Sequence, residues 1–170
     1  MKEIIALVSD IRSRVDEIDL SKLKRSDAQV ISLLKEVLTL FQSVIERADC
    51  LLSSKKIERV GSICTNRWIA SLPSEYHIIS ISKLGSGIGF SIDLGERRVK
   101  IFNKDYSMEF TRDRAYVTMP TKQIEINLRE PEEISSHYAA VSKTFRYVIS
   151  TLRRSEDDFG KCIKFERIRC

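Results

Sequence analysis

The chain of 170 residues has few of the residues that break or staple a structure: six glycines, three prolines, two histidines and one tryptophan. So few Gly and Pro argue against long disordered linkers. Asn and Gln are scarce at three each while charged residues make up 31% of the chain, which leans towards a thermophile. The cysteines are Cys50, Cys64, Cys162 and Cys170. No two are spaced as CxxC, and both histidines stand far from them in sequence, so the paired ligands of a zinc site are missing. Buried free thiols are the simpler reading, with a bridge at Cys162 or Cys170 left open. No apolar run approaches a membrane span, and Met1–Val15 is amphipathic and charged, unlike a signal peptide. The expectation is a soluble, cytoplasmic protein with no membrane partner.

What the chain does have is a rhythm. Val30, Leu34, Val37, Phe41, Val44, Ala48 and Leu51 alternate in steps of four and three over three heptads, marking a long helix with an apolar seam. A second stripe, Ile31, Leu38, Ile45 and Leu52, runs beside it. One thin partner would leave part of that surface in water, at roughly 1.5–3 kcal/mol per unburied side chain. The helix therefore needs neighbours on two sides, or a second copy of the chain.

Ile4, Val8, Ile11, Val15 and Ile18 repeat the spacing and predict a first helix over Lys2–Ile18. Ser26 with Gln29 three residues on has the spacing of a capping box, and Gly61 suits the end of a helix that closes near Arg59. The short connection makes residues 1–60 an antiparallel helical hairpin.

From Trp68 the period changes to two. Trp68–Leu72, His77–Ser82, Ile88–Leu94, Val99–Ile101, Tyr106–Phe110, Ala115–Met119 and Ile124–Leu128 alternate apolar with polar residues, separated by short turns. This predicts an antiparallel meander of five to seven strands, covered on one side. After Pro131, with Glu130, Glu132 and Glu133 at the positive end of the dipole, Ile134, Tyr138, Val141, Phe145, Val148 and Leu152 predict a closing helix on the apolar face. The tail from Phe159 reads as an edge strand. The fold class is α+β, with a helical hairpin over 1–60 and a sheet with its helix and basic tail over 61–170.

Catalytic signals are weak. Lys83–Gly89 (KLGSGIG) is glycine-rich, but a strand and not a helix follows, and Gly-Lys-Ser/Thr is absent; it reads as a hairpin turn. His77 and His137 have no local nucleophile or orienting carboxylate. The expectation is a non-enzymatic protein that uses no metal and no cofactor.

The net charge of +5 is spread along the chain, about +1, +2 and +2 over residues 1–60, 61–128 and 129–170. Opposite the apolar set on the strands stand Arg98, Lys100, Phe102, Glu109, Thr111, Tyr116, Thr118 and Asn127. Aromatics among cations on a wet sheet face make a stacking platform for single-stranded nucleic acid. Its contacts would be Arg98, Lys100, Phe102 and Tyr116, with Lys104, Arg112 and Arg114 in the turns. Glu109, Glu125 and Asp93 on the same face weigh against it. A curved antiparallel sheet followed by a helix is similar in layout to whirly-type single-strand binders, in topology alone. The alternative is a protein-interaction or assembly subunit, forming a homo-oligomer or docking a partner through the seam Val30, Leu34, Val37, Phe41, Val44 and Leu51.

Overall fold

The computed structural model describes residues 2–48, 68–71 and 78–169, with backbone alone for 69–71 and 161–169. It is an α+β protein. Helix α1 (Lys2–Asp16) leads through a 3-10 turn (Leu20–Lys22) into α2 (Arg25–Arg47). Seven strands follow, β1 (Trp68–Ser71), β2 (Ile78–Lys83), β3 (Ile88–Asp93), β4 (Arg98–Asn103), β5 (Tyr106–Phe110), β6 (Arg114–Met119) and β7 (Lys122–Asn127). A 3-10 turn (Ser135–His137) then opens α3 (Tyr138–Arg169). The strands pair in sequence order, every neighbour antiparallel, as the alternation predicts.

Strand register sorts the two faces. Ile81, Phe90, Ile101, Met108, Val117 and Ile124 lie side by side across β2 to β7. Ile79, Ile92, Val99, Phe110, Ala115 and Ile126 form the next row. Both rows are buried, because the helices cover this face and a side-chain period of two aims every second residue at them. Phe90 is the junction: its ring meets Phe41 of α2 at 5.5 Å between centroids and stacks on Trp68 at 5.9 Å. Trp68 in turn meets Phe159 of α3 at 5.0 Å.

The helices form one layer. Arg12 donates to Gln42 at 3.0 Å and Lys35 donates to the Ile18 carbonyl at 3.0 Å, so α1 and α2 run antiparallel. Asp27 meets Ile134, and Arg47 meets Glu156; the offset stays near constant at 107 and 109 residues, so α2 and α3 run parallel. The middle helix α2 thus has α1 on one flank, α3 on the other and the sheet beneath. That arrangement answers the double stripe: Val30, Ile31, Leu34, Val37, Leu38, Phe41, Val44 and Ile45 are all fully buried within the chain. Among the described residues α2 is the one helix apolar and long enough to cross a membrane by composition. The sequence reading had no run of that kind, yet the apolar positions here are consumed by neighbouring elements.

Three expectations need correction. Helix α2 begins one residue before Ser26, with Lys24 as N-cap and no side-chain cap bond, so the Ser26–Gln29 box is not formed. Asp27, buried, faces away to another helix: its carboxylate accepts from the backbone N–H groups of Glu133, Ile134 and Ser135 at 3.3, 3.1 and 2.9 Å. The α3 entrance is therefore capped from α2, and the regular helix starts at Tyr138 rather than at Pro131. The tail from Phe159 continues as helix to Arg169 instead of returning as a strand. Phe159 is fully buried against Trp68, and the i, i+4 bonds simply continue from the core-anchored turn. Leu51 and Leu52, the end of the second helix near Arg59, His77 and Cys50, Cys64 and Cys170 lie outside the described residues, as does the side chain of Cys162.

Candidate nucleic-acid interface

The outward face is built by the residues between the core rows. Gly89, Phe102, Ser107, Thr118 and Gln123 align in one row, and Ser91, Lys100, Glu109, Tyr116 and Glu125 in the next. Arg98, Lys100, Phe102 and Tyr116 stand on this face, as the alternation predicts; Arg114, expected in a turn, is the first residue of β6 and joins them, while Lys104 and Arg112 occupy turns at opposite ends of β5. Five strand residues rise about 17 Å, so the seven candidate contacts do not make one compact site.

They divide into two groups with different electrostatics. At the β5–β6 end, the cations are already paired. Arg98 lies 3.3 Å from Glu96 and 3.8 Å from Glu109, and its guanidinium is held above its ordinary pKa first by the hydrogen bond to Glu96. Arg114 pairs with Glu125, which raises its pKa in the same way. Tyr116, half-buried, stands in register between Glu109 and Glu125. Two carboxylates beside that ring oppose a phosphate there. Arg112 is exposed in the neighbouring turn.

At the β4–β5 end the balance differs. Lys100 and Lys104 are exposed and form no ion pair among the described residues. Phe102, between them, is half-buried, with its ring tip over Gly89 of the adjacent strand. A Cβ at Gly89 would clash with the Ile81 carbonyl oxygen and come within 2.9 Å of the Phe102 Cζ and of the Ser82 Cα, so only glycine fits between β2 and the ring. Lys104 takes a left-handed conformation (φ 54°), and its N–H donates to the Gly87 carbonyl at 2.7 Å. Its aliphatic stem rests on Gly87, itself at φ 69°. The KLGSGIG segment is thus a hairpin turn whose glycines shape the neighbouring lysine and phenylalanine, and it makes no phosphate cradle of its own.

These residues line an open groove of about 460 Å³ together with Ser107, Thr118, Met119 and Pro120, and with Asp105 as its one carboxylate. A smaller depression of about 220 Å³ continues past Lys100 to Ile78, Ser91 and Arg98, with the carboxylates of Asp93 and Glu109 in its lining. Ser107, Met119 and Pro120 were not singled out from sequence. They reach Phe102 only through the β4–β5–β6 register, which no local pattern announces.

The helical seam lies elsewhere. Val30, Leu34, Val37, Phe41 and Val44 are at 0% exposure, inside the chain's own core. The surface they were expected to offer a partner is taken by α1, α3 and the sheet. Among the described residues, no three His, Cys, Asp or Glu side chains converge. Compared with known proteins, the chain matches no family model, no curated protein and no solved structure.

Proposed function

We propose that the protein is a non-enzymatic binding protein that takes single-stranded nucleic acid on the outward sheet face, at the β4–β5 end. The observation that carries this reading is the groove in which Lys100 and Lys104, without ion pairs among the described residues, flank the half-buried Phe102 ring, its Cζ over Gly89. A partly exposed aromatic ring offers its π surface to a base, and every base has one, so such a contact tolerates sequence. The two ammonium groups supply the phosphate attraction, and Ser107 and Thr118 add hydroxyls. The site is smaller than the sequence suggests: Arg98, Arg114 and Tyr116 contribute less, because Glu96, Glu109 and Glu125 already occupy their surroundings. The competing reading, an assembly subunit docking through the α2 seam, loses support from the burial of that seam.

The test is fluorescence anisotropy with a labelled single-stranded oligonucleotide at two salt concentrations. The wild type should bind and weaken with added salt. Lys100→Glu combined with Lys104→Glu should flatten the salt dependence and weaken binding at least about tenfold, and Phe102→Ala about five- to tenfold. Because both lysines are exposed and without ion pairs among the described residues, the charge variant keeps its fold. Equal affinity in that variant would remove the reading.

A further inference from the structure

The outward face ends at the β4–β5 turn, and an aromatic pair sits just behind that turn. Tyr106 and Tyr147 stack with ring centroids 4.0 Å apart and planes only 11° from parallel. The Asn103 side chain donates to the Tyr147 carbonyl at 3.3 Å, fixing this part of α3 to the turn. Tyr147 is nevertheless 40% exposed, so one side of its ring rests on Tyr106 while the side chain stays open to solvent. Lys143, one helical turn earlier, places its Nζ 5.9 Å from the Tyr106 ring centroid, and Arg146 is exposed beside it.

The pair needs more than packing to account for it. Burial on the sheet is served by Val148, Ile149 and Leu152 of the same helix. Tyr147 adds an aromatic at the rim, pre-ordered by its stack, with cations on its own helix and Lys104 on the turn between it and Phe102. The lost rotamer freedom that weakens most surface contacts is already removed here. Lys104, Lys143 and Arg146 outnumber Asp105 along this rim, which favours a polyanion over an acidic protein surface.

We infer that the binding path bends round the β4–β5 turn and that Tyr147 is a second base-stacking position, with Lys104 at the bend and Lys143 and Arg146 beyond it. The inference rests on the single-strand reading above. A duplex is too stiff to follow so tight a bend and keeps its bases stacked inside, so the path selects a single strand.

Oligonucleotide length separates the two positions. A probe of about four nucleotides should reach one stacking site only, whereas one of about sixteen spans both. Phe102→Ala should weaken both probes. Tyr147→Ala should weaken the long probe about five- to tenfold and leave the short one within about twofold, and Tyr147→Phe should behave as wild type because stacking needs the ring and not the hydroxyl. Photocrosslinking of a long strand carrying a thiolated pyrimidine should label the peptide containing Tyr147. If Tyr147→Ala binds the long probe like wild type and no crosslink falls on α3, the extension is wrong while the Phe102 groove stands. If the wild type binds neither probe, or binds duplex equally well, the single-strand reading fails and takes the extension with it.

Discussion

The two faces of the sheet are made by the same strands, residue by residue in alternation, yet they answer to different constraints. Inward, Ile81, Phe90, Ile101, Met108 and Val117 form a continuous buried row in which each side chain has neighbours on every side. Outward, one residue along, Ser82, Gly89, Phe102, Ser107 and Thr118 form a row in which Ser82, Phe102 and Thr118 are partly exposed while Gly89 and Ser107 are buried. The inner row is determined by volume, since interiors are close-packed and tolerate little change. The outer face is free of that constraint, and its charge varies from the ion pairs of Arg98 and Arg114 at one end to Lys100 and Lys104, without ion pairs among the described residues, at the other. On the proposed reading, stability and function lie on opposite sides of one pleat.

Substitutions test this division. The largest effect belongs to the inner face: Phe90→Ala removes the ring between Phe41 and Trp68 and should cost about 3–5 kcal/mol by denaturant unfolding. Thr118→Ala on the outer face should stay within about 0.5 kcal/mol. A comparable cost for both would mean that the outer face is packed against something. Next comes the helix layer. Asp27→Ala leaves three backbone N–H groups at the α3 entrance without their acceptor and should lose about 2–3 kcal/mol, with Asp27→Asn recovering part of it.

Gly89→Ala breaks the comparison on purpose. It lies on the outer face but has inner-face sensitivity, since a methyl group there meets Phe102 and the backbone of β2. The expected cost is about 1–3 kcal/mol, together with weaker oligonucleotide binding as the Phe102 ring lifts. A neutral Gly89→Ala would show that β2 and the Phe102 ring can give way to a methyl group there.

The smallest effect is electrostatic. Asp113, in the β5–β6 turn, has Arg129 Nε at 3.0 Å and Arg14 Nε at 3.6 Å, and its pKa is lowered from the ordinary 3.8, chiefly by Arg129. A carboxylate with a depressed folded pKa adds stability above its unfolded pKa and loses it as pH falls through the folded value. Asp113→Asn should therefore be slightly less stable than wild type at neutral pH, and the difference should close only below the ordinary carboxylate range. Thermal melts of both proteins across acid pH check this. A difference that persists unchanged into strong acid would place the effect in packing instead.

Much of this architecture was legible in the sequence for identifiable reasons. All seven strands are readable because each carries its own period of two, and their order follows from turns too short for any crossover. The face assignment of Arg98, Lys100, Phe102 and Tyr116 came from the same alternation. The misreadings trusted local chemistry. Ser26 and Gln29 have the local chemistry of a cap, yet α2 starts at Arg25 with no side-chain cap. Glu130, Glu132 and Glu133 have that of a helix start, yet the controlling bond there comes from Asp27, 107 residues from the Ile134 N–H from which it accepts. Phe159–Arg169 lacks a clean helical stripe, and only the burial of Phe159 under Trp68 shows why the helix runs on.

The sequence by itself determined which elements exist and which side of each is apolar, since both follow from periods of 3.5 and 2 that the backbone geometry imposes within a few residues. Tertiary structure alone decided who covers whom. The double stripe of α2 demanded two neighbours, but heptad spacing is identical whether the neighbour is another helix of the chain or a second copy. The balance of charge on the outer face was decided in the same way: Glu109 and Glu125 meet Arg98 and Arg114 only through strand register, so that Glu109, although it stands in register with Lys100, pairs with Arg98.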